Sequence, residues 1–318
     1  IGRKTNKKLI TDAVDEWIKE EQIRVDRNLL KQKSLESKRY ALEKMLDYLK
    51  TKGVSHTNEI DINTFREFDV FRAETTPLQR RAEIKKVKEF CSNYLAVKGL
   101  INPIVMMTKS SFPKVIIKQT DLLANPAIGG DDWRTILNYV KGDWKKQSTE
   151  RGLFFKVMFH HFILFAKNSG FSVEEILKLR WKQIDIVDVG RTTSKGKREK
   201  WEVAYISTTR SKTQQTREVP INQARELRRW MSFVNSNATK LGVREVVASD
   251  LVFSSPYRDY EGYSYSHYLE QWTAIIKHLT PKLKGHRHSD KNFTLYSLRS
   301  SFIEDHLMRG TSVYEVAE

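Results

Sequence analysis

The sequence predicts a mainly α, α+β protein of two domains: a helical domain at residues 8–100, and a mixed domain at 121–318 with a small antiparallel sheet. Three observations lead there. The 318 residues exceed one ordinary domain and suit two. Apolar residues recur at helical spacing through the first hundred positions. Beyond residue 180, the β-branched segments 184–187, 201–207 and 216–221 have the turn-rich flanks of short strands.

The helical domain opens with Leu9–Ile23, where Val14, Trp17 and Ile18 share one side. Leu42, Met45, Leu46 and Leu49 then fall at i, i+3, i+4 and i+7, the stripe of a core-facing helix, and Gly53 is its stop. A helix over Ile60–Arg72 would turn Phe65 and Phe68 inward. Another runs from Pro77, suited to a first helical turn, to Lys98. Its stripe is Val87, Phe90, Cys91 and Tyr94, and Gly99 ends it. The period is lost at 101–120, where Asn102-Pro103 and Ser110-Ser-Phe-Pro113 predict an extended linker. In the second domain Asp131 and Asp132 read as an N-cap before a helix over Trp133–Val140. Leu153–Lys167 is apolar nearly all round, which predicts a buried helix. His160 and His161 lie inside it. Neighbours on a helix point about 100° apart, so these two read as buried or boundary residues, not metal ligands. A short helix at Glu174–Arg180 precedes the strands, and helices follow at 222–241, 263–279, 295–309 and from 312 on. Tyr257, Tyr260, Tyr263 and Tyr265 read as packing residues in a loop, with DNA contact the alternative.

Charge narrows the function. Lys+Arg of 56 against Asp+Glu of 39 gives a net +17, the excess a polyanion-binding surface needs to displace counterions from phosphates. Three groups of bases stand out as candidate DNA contacts: Lys31, Lys33, Lys38 and Arg39; Arg80, Arg81 and Lys85; and, along the linker, Lys109, Lys114 and Lys118. Lys195 and Lys197, in the turn after the first strand, join them. The single cysteine, Cys91, excludes an internal disulfide or a cysteine metal cluster and suits a reducing cytoplasm. No apolar run reaches the ~18–20 residues of a membrane span, and no signal peptide is present. No phosphate-cradling Gly-x-x-x-x-Gly-Lys-[Ser/Thr] loop and no convincing metal-ligand spacing occur, which disfavours a P-loop ATPase and a metal-dependent nuclease.

Three further segments carry chemistry. The first is Ser169-Gly-Phe-Ser172-Val-Glu-Glu175-Ile-Leu-Lys-Leu179-Arg-Trp181-Lys-Gln-Ile-Asp185. The second is Arg210-Ser-Lys212-Thr-Gln-Gln-Thr-Arg-Glu-Val-Pro-Ile221, and the third is Thr294-Leu-Tyr296-Ser-Leu-Arg299-Ser-Ser-Phe302. In this order they resemble the catalytic boxes of the phage-integrase family of tyrosine recombinases. The likeness covers about 200 residues at the C-terminal side well and the helical side more loosely.

That resemblance implies one reaction: cutting and rejoining duplex DNA through a 3′-phosphotyrosine, without metal, ATP or other cofactor. Arg299 would clamp the non-bridging phosphate oxygens, because a planar guanidinium matches their geometry. Lys212 would be the general acid for the leaving 5′-oxygen, with Lys195 and Lys197 as competing candidates. Tyr296 occupies the family's histidine position; a phenol can donate a hydrogen bond but cannot shuttle protons like imidazole at neutral pH. Glu175 matches the family's acidic position. Ser172 stands where the family has its first catalytic arginine, and losing one such donor typically costs ~10²–10³ in rate. The nucleophilic tyrosine would lie past Glu318, with Tyr314 a packing residue before it; Ile1 and the helix-like 313–318 predict a segment of a longer protein. Family behaviour further implies a C-shaped clamp on DNA, a homo-tetramer on paired specific sites, a Holliday-junction intermediate, and the cytoplasm of a prokaryotic host or mobile element. An accessory DNA-bending protein is a possible partner. A catalytically inactive sequence-specific DNA-binding protein on the same scaffold is the alternative.

Overall fold

A computed structural model describes residues 6–118, 121, 125–146, 148–192, 196, 198–199, 201–209, 216–286 and 292–312. The chain divides into two compact units, Ile1–Leu122 and Leu123–Glu318.

In the first unit the helices are α1 (Ile10–Asp26), α2 (Gln32–Thr51), α3 (Phe68–Phe71), α4 (Pro77–Phe90) and α5 (Ile104–Met107). The stripes read from sequence are the buried ones: Leu42, Met45 and Leu49 from α2 meet Val87 and Phe90 from α4, with Trp17 of α1 at 5.3 Å from the Phe90 ring. Thr76 caps α4 through the Gln79 amide, with Pro77 in its first turn. The helix runs on through a π-helical turn, Cys91–Leu95, which keeps Tyr94 and Leu95 facing the core. Gly53 and Gly99 take left-handed φ values of 71° and 66°, the conformation that ends a helix most cheaply with glycine.

Two expectations differ here. Residues 60–72 do not form one helix. The Asp61 carboxylate accepts hydrogen bonds from the Asn63 and Thr64 amides (2.8 and 2.9 Å), so a side chain takes donors a longer helix would use, and only the short α3 remains. Residues 101–112 are not an extended segment either. Ile101 and Val105 are buried in the unit's core, and Phe112 stacks on Phe65 at 5.1 Å. Few anchors suffice to hold a polar, proline-bearing stretch when they are large and apolar.

The second unit contains α6 (Gly130–Lys141), α7 (Glu150–Ser169), α8 (Val173–Lys178), α9 (Ala224–Leu241), α10 (Tyr265–Leu279) and α11 (Ser297–Met308). Its three-stranded antiparallel sheet has the order β1-β4-β5, from β1 (Ile184–Asp188), β4 (Glu202–Thr209) and β5 (Thr216–Ile221). Two-residue pairs β2 (Arg191–Thr192) with β3 (Arg198–Glu199), and β6 (Ser254–Ser255) with β7 (Glu261–Gly262), complete the strands. The β4–β5 register runs from Ala204↔Ile221 to Thr209↔Thr216. The unit is mainly helical with a small antiparallel sheet, as the sequence implies.

Helix α7 is the buried rod its composition predicts: Phe154, Met158, Phe159, Phe162 and Ile163 pack against Trp230, Tyr268 and Trp272. Burial lowers the pKa of both its histidines, that of His160 to about 4. Asp131 and Asp132 do not cap α6; Gly129 holds the cap position. Asp132 instead accepts the backbone amides of Lys284 and Gly285 at 2.8 and 3.0 Å, anchoring the chain after α10. A carboxylate one turn from a distant pair of free amides gains more there than from its own helix. Tyr260 is buried and donates to the Arg244 carbonyl, and Tyr263 packs on Phe155, as packing residues do; Tyr265 is partly exposed.

Candidate active site

The three chemistry-bearing segments converge on one carboxylate. Ser172 is the N-cap of α8, and Glu175 sits three residues on, so the two form a capping box. Glu175 Oε2 accepts from the Ser172 amide at 2.8 Å and its hydroxyl at 2.7 Å, while Ser172 Oγ accepts the Glu175 amide at 3.3 Å. Glu175 is thereby held nearly out of solvent, with its side chain 7% exposed. Two guanidiniums approach it. Arg217 Nη2, from β5, donates to Oε1 at 3.3 Å; Arg299 Nη1, from the first turn of α11, stands 3.7 Å from Oε2. Arg217 also lies over the Phe171 ring, 4.9 Å from its centroid.

The start of α11 is fixed by hydrogen bonds that position Arg299. Ser297 Oγ accepts the Thr294 amide (3.0 Å), and Thr294 Oγ1 donates to Asn125 (2.6 Å). Ser301 Oγ donates to the Ser297 carbonyl (2.7 Å) and accepts the Ile128 amide (2.8 Å). Phe302 lies against Gly170, where a Cβ would come within 2.4 Å of the ring. Gly170 has φ 66° and ends α7, so this one residue both turns the chain toward Ser172 and admits the Arg299 helix.

Electrostatically, two guanidiniums share one carboxylate, that of Glu175. At ~4 Å and an effective dielectric near 20, each unit-charge pair is worth ~4 kcal/mol. Arg299 is 27% exposed, accessible from outside. Tyr296, at the N-terminal boundary of α11, is 42% exposed.

Thus Ser172, Glu175 and Arg299 lie together, with Tyr296 three residues before Arg299 on the chain. Lys212, Lys195, Lys197 and Tyr314 lie outside the described residues. Arg180, eight residues beyond Ser172, donates to the Ser249 carbonyl. The motif reading includes Arg217 in the second box but gives it no role. Its signal was the alternation of β5, which turns Arg217, Val219 and Ile221 to one side.

Of the candidate DNA contacts, Lys31, Lys33, Arg39, Arg81, Lys85, Lys109, Lys114 and Lys118 are exposed. Arg80 is half-buried and reaches the Asp69 carbonyl at 3.5 Å. Lys38 is a correction. It is 7% exposed, between Glu21 (2.8 Å) and Glu89 (2.5 Å) and over the Trp17 ring, so its charge is spent inside the helical unit. Sequence proximity to Arg39 concealed this, because neighbouring helical residues face different ways. Among the described residues no helix is long and apolar enough to cross a membrane, and no three His, Cys, Asp or Glu side chains are placed to hold a metal.

No protein-family model and no curated protein matches the chain. Solved structures do. The Tn1549 transposon integrase in complex with transposon right end DNA superposes with a TM-score of 0.63 at 12% identity, over 97% of this chain and 90% of that one. The chain has the tyrosine-recombinase fold. The same integrase with circular intermediate DNA gives 0.62 at 12% identity and the same coverage. The XerH site-specific recombinase bound to palindromic difH substrate, in a post-cleavage complex, gives 0.64 at 14% identity, over 90% of this chain and 72% of that one. Leu179 and Trp181, the apolar part of the first box, are buried.

Proposed function

We propose that the protein is a site-specific DNA recombinase that cleaves and rejoins duplex DNA through a 3′-phosphotyrosine. One observation carries the reading: residues from three separated boxes meet at Glu175. In the reaction a tyrosine oxygen attacks phosphorus and the bond to the 5′-oxygen breaks. Arg299 offsets charge gathering on the non-bridging oxygens. Lys212, between β4 and β5 in the chain, delivers a proton to the departing 5′-oxygen. Tyr296 donates a hydrogen bond to the phosphate, and Glu175 positions the guanidinium of Arg299. The exposed bases of the helical unit and of Lys109, Lys114 and Lys118 track the DNA backbone, and strand exchange proceeds in a homo-tetramer on two specific sites through a four-way junction, with an accessory DNA-bending protein where the site needs one.

The non-catalytic reading is favoured by one observation: Ser172 is neutral and its hydroxyl is committed to Glu175. Both readings meet one experiment. Duplexes selected for binding from a random pool are nicked and incubated with the full-length chain, and covalent protein–DNA adducts are scored after SDS. An adduct lost on replacing a single tyrosine is the recombinase result. Binding with no adduct, even with Ser172→Arg, is the result for a DNA-binding protein.

A further inference from the structure

We propose that Arg217 is a phosphate-binding residue of this site, supplying the second guanidinium that Ser172 does not. The proposal rests on reading the Glu175 cluster as the phosphate site. Three features assign the role to Arg217. First, it reaches the same carboxylate as Ser172: Arg217 Nη2 lies 3.3 Å from Oε1, and Ser172 Oγ 2.7 Å from Oε2. A side chain on β5 therefore brings positive charge to within one carboxylate group of position 172. Second, Glu175 is shared between the two arginines. Its contacts to Arg217 and Arg299, at 3.3 and 3.7 Å, are longer than the ~2.7–2.9 Å of a tight charge-assisted bond, the geometry of a shared carboxylate. Third, the Phe171 face at 4.9 Å holds the guanidinium plane, and the side chain is only 18% exposed, so its charge acts in a partly desolvated place. A guanidinium, with five N–H donors in a rigid fork, can hold Glu175 and a phosphate oxygen together.

A residue that merely tied β5 to α8 would have the same contacts to Glu175, so the test must count phosphate charge. Affinity of the full-length protein for a 30-base-pair duplex is measured by fluorescence anisotropy between about 50 and 200 mM salt. Arg217→Gln, Arg217→Lys and Arg299→Gln are compared, with thermal unfolding by circular dichroism as the control for folding. Removing one phosphate contact makes the slope of log K against log[salt] shallower by about 1. The expected result is that loss for Arg217→Gln and for Arg299→Gln, with Arg217→Lys keeping the slope of the parent. A change for Arg299→Gln alone overturns the role of Arg217 and leaves the recombinase reading standing, as does an Arg217→Gln protein that melts lower with its slope intact. No change for either arginine overturns both. A change for Arg217→Gln alone overturns the shared site.

Discussion

Gly170→Ala tests how the first box is locked to the helix bearing Arg299. The added Cβ meets the Phe302 ring at 2.4 Å from Cδ1 and 2.6 Å from Cε1, distances at which something must move. Two costs follow. The left-handed φ of 66° costs a non-glycine residue ~1–2 kcal/mol. Displacing a packed aromatic ring costs a further ~1–3 kcal/mol. Gly242 separates them, because it has the same φ of 66° with nothing within 4 Å of its Cβ position. Gly170→Ala is therefore expected to destabilise the second unit by ~2–5 kcal/mol and Gly242→Ala by ~1–2 kcal/mol. Urea unfolding followed by tryptophan fluorescence reads this unit almost alone, since Trp17 is the only tryptophan outside it. With a urea slope of ~3 kcal/mol per M, the midpoint falls by about 1 M for Gly170→Ala and about 0.5 M for Gly242→Ala. The clash itself is isolated in a cycle with Phe302→Ala: in that background Gly170→Ala costs only the backbone term, a coupling of ~1–3 kcal/mol. Equal midpoints for the two glycine variants, or a cycle with no coupling, would refute the argument that Gly170 makes room for the Arg299 helix.

Lys38→Ala leaves Glu21 and Glu89 without their buried cation; it should destabilise the helical unit by about 3 kcal/mol in thermal melts and leave the salt slope of DNA binding unchanged. Asp132→Ala removes an acceptor shared by two backbone amides and should cost about 3 kcal/mol in urea unfolding, with Asp132→Asn costing less. For pH, burial, with Lys145 nearby, holds the His160 pKa at about 4 against ~6.5 in the unfolded chain, so between these values the unfolded state binds more protons. Stability therefore rises with pH through that window and is lost as pH falls from about 6.5 toward 4; the melting temperature of His160→Gln should fall less steeply over the same range.

The helices were legible because burial is written into their spacing. Leu42, Met45 and Leu49, or the apolar circumference of α7, admit few other conformations. The stops at Gly53 and Gly99 were legible for the same local reason. Ser172 and Glu175 also act locally, three residues apart in one capping box, so their pairing lies within reach of sequence reasoning. The residues misjudged were those whose partners are distant along the chain. Lys38 looked like surface charge until Glu89 came beside it, 51 positions away. Asp132 looked like a cap until Lys284 did, 152 positions away.

By itself, then, the sequence determined the helical stripes, the glycine stops, the strands β4 and β5 and the order of the three boxes, because each is written in local pattern or chain order. Only the tertiary structure decided that Arg217 and Arg299 share Glu175, 42 residues from the first of them. Coulomb attraction acts through space, and a sequence pattern does not record which distant side chains the packing of α7, α8, β5 and α11 brings within 4 Å.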